Sequence, residues 1–225
     1  MLIPSVKNLR LDFYRNDGTV TLTKDVFANC DNLEELILVF DHGEPEITAP
    51  DAFEKLPNLK KLAIQDYNIT LLTENSLKKL INIILLKNIE EIDAKVFENF
   101  NNLKEIAIVN NRKLTHLTNN LFKNVPKLKK LSLFRNRFQN LTWDEFEGLS
   151  SLEELNIFGN RITSFNADKI ATYLPNLQSL SIKDNPLSCK QREVFVEKLK
   201  AKLSNLEDVS FKVDSGYYDS CEQED

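Results

Sequence analysis

Glycine is scarce, with five residues in 225, about a third of the usual frequency of ~7%. That scarcity disfavours phosphate-cradling loops and the tight hairpins of ordinary β domains. No apolar run approaches the roughly 18–20 residues of a membrane span, and Met1-Leu2-Ile3-Pro4-Ser5 holds neither an apolar h-region nor a cleavage motif. The chain as given is expected to be soluble. No Lys/Arg cluster stands out, and 29 basic against 34 acidic residues leave a formal charge of −5, so nucleic acid is not an expected partner. His42 and His116 fall in turn segments far apart. Paired-His zinc spacing, Cys-x-x-Cys, Gly-x-Ser-x-Gly and Gly-x-x-x-x-Gly-Lys are all missing. Metal, cofactor and catalysis are therefore not expected.

What the chain has is apolar content, 42% hydrophobic against 28% charged residues, enough for a substantial core in one domain. It also repeats itself. Leu-x-x-Leu-x-Leu segments begin near Val6, Leu33, Leu59, Ile81 or Ile83, Leu103, Leu128, Leu152 and Leu177, at spacings of roughly 20–27 residues. The clearest unit, Leu128 to Ser151, reads LKKLSLFRNRFQNLTWDEFEGLSS. Leu-x-Leu alternation is a strand signal of period two. A Phe and an apolar residue three apart follow, as in Phe53…Leu56, Phe97…Phe100 and Phe146…Leu149, predicting a short helical return. Such a coil cannot bury its apolar edge alone, so neighbours must stack into a parallel sheet. Asn111, Asn136, Asn160 and Asn185 stand where the chain turns inward and can satisfy buried backbone groups. Asp41 and Tyr67 replace them upstream, and INIILL at Ile81–Leu86 leaves the register of that coil open.

This pattern resembles the extracellular class of leucine-rich repeats found in Toll-like ectodomains, lamprey variable lymphocyte receptors and insect secreted immune proteins. The resemblance implies an α/β horseshoe-shaped solenoid, with a parallel β-sheet on its concave face and short helices or 3-10 turns on its convex face. Residues 1–188 would form about seven to eight coils, and 189–225 a C-terminal cap. Asn185-Pro186-Leu187-Ser188-Cys189 looks like the opening of the family's cysteine-containing cap. A helix carrying Val194, Phe195, Val196, Leu199 and Leu203 follows. The resemblance implies a Cys189–Cys221 bridge, worth about 3–4 kcal/mol in the chain-entropy model. Cys30 sits in the convex slot that Leu56, Val125 and Leu149 fill elsewhere, reading as a buried free thiol, with an intermolecular bridge as the alternative. At the other end Ile3, Val6 and Leu9 match a coil already under way. No N-terminal cap is evident, so either an upstream segment that held a signal peptide was removed, as we expect, or the first coil is itself blunted by its polar stretch Tyr14-Arg15-Asn16-Asp17-Gly18.

Asn68-Ile69-Thr70 and Asn140-Leu141-Thr142 are glycosylation sequons, which fit a secreted or extracellular protein. Strand residues between the buried positions project from the concave face. One column, Glu35, Lys61, Glu105, Lys130, Glu154 and Ser179, reads as a self-neutralising ladder. Large apolar groups aimed at solvent need another reason. Val109, Phe134, Arg135 and Phe158 have the aromatic-plus-Arg composition of an interface hot spot. Ile37, Val39 and Phe40 form a weaker second patch. The expected function is extracellular recognition of a protein on the concave face, in innate immunity and without enzymatic activity. Self-association on the same surface is included. The alternatives are a fragment of a cell-surface receptor or adhesion ectodomain, and an intracellular scaffold with reduced cysteines.

Overall fold

The computed structural model describes residues 5–14, 22, 25–41, 53, 56–65, 80–86, 89–92, 94–98, 100–165, 167–204 and 206–210. Among the described residues, nine strands run in chain order through one sheet: β1 Asn8–Tyr14, β2 Glu35–Asp41, β3 Lys61–Gln65, β4 Asn82–Leu86, β5 Glu105–Val109, β6 Lys130–Ser132, β7 Glu154–Asn156, β8 Ser179–Ser181 and β9 Asp208–Ser210. Each pairs with the next in parallel. Parallel neighbours require a crossover between them, and here every crossover is one return of a solenoid coil. Alternate residues such as Leu36, Leu38, Ile106, Ile108, Leu131, Leu133, Leu155 and Ile157 are buried. The expected solenoid and its main register are therefore present.

One boundary differs from expectation. Pairing of Lys61 with Asn82 aligns Leu59 with Leu80, so the fourth coil begins at Leu80, not at Ile81 or Ile83. Leu80 is 1% exposed and Ile81 39%; the apolar run INIILL offers two phases, and packing selects one. Within the segment 189–225 expected to form the C-terminal cap, a ninth strand continues the sheet. Leu206-Glu207-Asp208-Val209 is its signal, with Val209 in register with Leu180.

Phenylalanines line the return side. Phe27, Phe53, Phe97, Phe122 and Phe146 are buried. Phe27 stacks on Phe53 at 6.0 Å and Phe97 on Phe122 at 6.1 Å. Each ring is followed by a tight turn, as in Leu56 N–H to Phe53 O (3.1 Å) and Leu149 N–H to Phe146 O (3.2 Å). Cys30 closes the same turn on Phe27 O at 3.1 Å. It is a buried free thiol whose pKa is raised by desolvation and then by Asp31.

The asparagines bind coil to coil. The Asn136 amide donates to Ile108 O (2.7 Å) and Leu133 O (2.8 Å), and its Oδ1 accepts from Asn111 N–H (2.9 Å). Asn160 and Asn185 repeat the arrangement, their Oδ1 atoms accepting from Phe138 N–H (3.2 Å) and Ile162 N–H (3.0 Å). All four ladder asparagines, Asn111 included, are buried, as interior backbone groups demand partners.

A short helix, α1 (Ile170–Tyr173), forms one return, and α2 (Cys189–Lys202) forms the return between β8 and β9. Ser188 and Gln191 form the capping box of α2: Gln191 N–H donates to Ser188 Oγ at 3.3 Å, and Ser188 N–H to Gln191 Oε1 at 2.8 Å. Phe195, Leu199 and Leu203 are buried at the i, i+4, i+8 spacing of one face. Val194 is 45% exposed and belongs to the opposite side. Phe165 ties α2 to the coils, 4.6 Å from Trp143 and 5.3 Å from Phe195.

Glu145 caps the 3-10 turn Trp143–Phe146, accepting from Thr142 N–H at 2.6 Å. Its pKa is raised, chiefly by burial; backbone hydrogen bonds and His116 oppose the rise. A carboxyl whose folded pKa lies above its unfolded value binds the proton more tightly when folded. Its contribution is full below the unfolded pKa and is lost as pH rises through the folded one. Glu145→Gln keeps an acceptor and removes the charge. Its melting temperature should therefore exceed that of the parent at pH 7 by ~1–2 °C, with the gap closing near pH 4. A lower melting temperature at pH 7 would mean that the charge itself stabilises the cap.

Candidate functional site

The outward-facing strand residues form columns. In the first column Lys61 Nζ lies 2.7 Å from Glu35, Lys130 Nζ 2.8 Å from Glu154, and Asn82 Nδ2 donates to Glu105 at 2.7 Å. Glu154 raises the pKa of Lys130. The two lysine–glutamate pairs are solvent-screened and contribute little stability, but they neutralise their part of the column as expected, and Asn82 adds a neutral donor to Glu105. The neighbouring small residues Ala107, Ser132, Asn156 and Ser181 are half-buried and add little relief.

Beyond them stand the rings. Phe134 and Phe158 follow the buried Leu133 and Ile157 and point away from the core, each half-buried. They stack on one another at 5.1 Å with planes 24° apart. The Arg135 guanidinium carbon lies 4.9 Å from the centre of the Phe134 ring, a cation–π distance. Val109, also half-buried, aligns with Phe134 in the register that pairs Glu105 with Lys130.

The backbone holds this group in place. Asn110 N–H donates to Phe134 O (3.0 Å), Arg135 N–H to Phe158 O (2.8 Å) and Gly159 N–H to Lys183 O (2.9 Å). Asn110, Arg135, Gly159 and Asp184 occupy one position in successive coils, all left-handed, with φ of 60°, 53°, 66° and 51°. Each sits one residue before a ladder asparagine. The chain reverses there, which is why a ring and a cation on consecutive residues share one surface. Gly159 adds clearance, since a Cβ there would lie 2.9 Å from Arg135 Cγ.

The second patch is not a surface. Val39 and Phe40 are 4% and 3% exposed, and Phe40 stacks on Phe13 at 5.0 Å. Alternation along β2 gives Phe40 the parity of Leu36 and Leu38, so it faces the core. Val39 has outward parity but is covered. Ile37 alone remains half-buried. Of the sequons, Asn140 is exposed, while Asn68 lies outside the described residues. So do Cys221 and His42. His116 is exposed, with Nδ1 3.2 Å from Thr115 Oγ1. No helix among the described residues is long and apolar enough to cross a membrane.

Comparison with known proteins gives the same repeat. The model of the BspA type leucine rich repeat region matches residues 9–129, and a leucine rich repeat model matches 101–162 and 126–187. Lumican of Gallus gallus is 30% identical over 141 residues, 62% of this chain and 40% of lumican. The chain thus spans well under half the length of that relative. Among solved structures, the TLR13–ssRNA13 complex superposes with a TM-score of 0.71 at 24% identity, covering 93% of this chain and 29% of that one. Human 5T4 (Wnt-activated inhibitory factor 1, trophoblast glycoprotein) gives 0.68 at 21% identity, covering 93% and 79%. At these identities the two structures speak for the fold alone. Because one of them is a complex with RNA, the scaffold itself does not exclude nucleic acid, and that expectation rests only on charge. The nine-stranded parallel sheet, the asparagine ladder and the matched residues together place this chain in the leucine-rich-repeat family.

Proposed function

We propose that the chain is an extracellular recognition module that binds a protein on its concave face through Val109, Phe134, Arg135 and Phe158, without catalysing a reaction. The observation that carries this reading is the stacked pair of rings aimed away from the core with an arginine over one of them. Aromatic and arginine side chains dominate interface hot spots. Pre-stacked rings have little rotamer freedom left to lose on binding.

The extracellular part of the reading is supported by Cys189, which is held in a disulfide, while Cys30 is a buried free thiol. Cys221 is the proposed partner, within a cap running from Cys189 to Asp225. Disulfides persist in oxidising compartments. The exposed sequon at Asn140 agrees with that placement. The assignment to innate immunity rests on the resemblance to insect immune repeat proteins and Toll-like ectodomains. An ectodomain fragment of a cell-surface receptor or adhesion protein is the second reading, and it rests on the same resemblance to Toll-like ectodomains.

The test is capture of partners from native extracellular fluid by the parent chain and by Phe134→Ala/Phe158→Ala. Loss of both rings should weaken binding by at least about 30-fold, corresponding to hot-spot losses of ~2 kcal/mol or more. The melting temperature should fall by only a few degrees. Unchanged capture would remove the rings from the site, and a collapse of the melting transition would assign them to the core.

A further inference from the structure

Elsewhere on the described surface, cations set one coil apart meet carboxylates: Lys60 and Lys7 on Glu34, Lys129 on Glu153, Lys169 on Asp144. One column breaks that pattern. Arg112, Arg137 and Arg161 each follow a ladder asparagine, and the register of β5, β6 and β7 places them one coil apart. Arg137 N–H donates to Leu114 O (3.0 Å) and Arg161 N–H to Phe138 O (2.9 Å), so the three turns are stacked. All three side chains are exposed, and none forms an ion pair with a described residue. The segments 111–116, 136–140 and 160–164 contain no carboxylate, in a chain of net charge −5, and the carboxylate that reaches them from the preceding coil, Glu90, pairs with Lys113 and not with an arginine. Neighbouring guanidiniums repel, so a row of them without counter-charge is a cost that a bound anion would relieve.

We infer that this row is a binding site for a linear sulfated polysaccharide. Guanidinium forks engage sulfate oxygens in pairs, and sulfates repeated along a polymer match cations repeated about every 5 Å, the strand spacing. Beside the arginines lie exposed amides and hydroxyls, Gln139, Thr115, Thr163 and Ser164, suited to sugar hydroxyls. The row is rigid because Leu114, Phe138 and Ile162 beneath it are buried. Beyond Arg161 it continues toward the cap. Gln191 Nε2 donates to Thr163 O (3.0 Å), and Ser164, Lys190 and Gln191 share the wall of a cavity of about 310 Å³. Single-stranded nucleic acid fits less well, because its binding surfaces stack bases on aromatic rings, and the aromatic residue in these turns, Phe138, is fully buried.

The test uses the full chain carrying Asn140→Gln, so that a glycan cannot mask the row, and measures affinity for heparin, polyuridylate and polyglutamate across a salt series. Heparin should bind most tightly. Arg112→Gln/Arg137→Gln/Arg161→Gln should weaken it at least tenfold and lower the slope of log affinity against log salt by about two to three, at ~0.7–0.9 per lost charge in the counterion-release treatment. Melting should be unchanged, as for exposed substitutions. Heparin binding that survives the triple substitution would overturn the assignment. So would polyuridylate or polyglutamate binding as tightly as heparin.

Discussion

Asn136→Ala should cost about 3–5 kcal/mol, a large part of the ~5–15 kcal/mol that holds a domain folded. The substitution strips two groups of the preceding coil of the partner that Asn136 supplies, the Asn111 N–H and the Ile108 carbonyl. Leu133 O keeps the Asn160 amide at 2.9 Å. Each buried unsatisfied group costs ~1–3 kcal/mol, and alanine leaves a void as well. Exposed Asn140 provides the control, since its change to Ala should stay within ~0.5 kcal/mol. Urea denaturation of the two variants checks this directly. A loss below ~1 kcal/mol for Asn136→Ala would show that water or rearranged backbone replaces the ladder.

Gly148→Ala should be comparably damaging for a different reason. Gly148 has φ of +96°, and a Cβ there would lie 2.8 Å from both Lys123 Cα and Phe122 O. These are backbone atoms of the preceding coil, which cannot step aside without opening the stack. Strain of ~1–3 kcal/mol adds to a similar overpacking cost, giving about 3–5 kcal/mol. Gly159→Asn should lose less than ~1 kcal/mol, because Asn110, Arg135 and Asp184 already adopt the same left-handed turn and the facing atom is the movable Arg135 Cγ. Chemical denaturation of both variants separates the cases. Equal losses would mean that coil spacing is looser at residue 148 than the contacts imply.

Much of the fold was legible because the repeat is a periodic constraint. Leucines recur where the strand must face inward, and phenylalanines where the return must close. The ladder asparagines were readable for the same reason, since an Asn beside a turn has few other uses in a buried position. Failures came where periodicity gave two answers. INIILL carries apolar residues in both phases, so only packing selects Leu80. Phe40 adjoins Ile37 and Val39 in an apolar run that suggests an outward patch, but counting from Leu36 and Leu38 in steps of two sends it inward. The strand at Asp208–Ser210 had a weak signal in Leu206 and Val209, obscured by the helix before it. Of the site, the ring pair follows from parity and Arg135 from its place beside Phe134 in the chain, but that its guanidinium lies over the ring depends on the left-handed turn, which no residue type announces when Arg itself adopts it. The arginine row was invisible along the chain because its members are a whole repeat apart.

The ladder has a direction. Asn111, Asn136, Asn160 and Asn185 each accept an N–H from the coil before, at Ile89, Asn111, Phe138 and Ile162 respectively. A turn is therefore completed by a side chain synthesised one repeat later. As the polypeptide leaves the ribosome, its newest finished repeat still waits for its bonding partner, so growth of the native array trails elongation by one unit. Cutting the gene at a repeat boundary would expose that dependence at the new end.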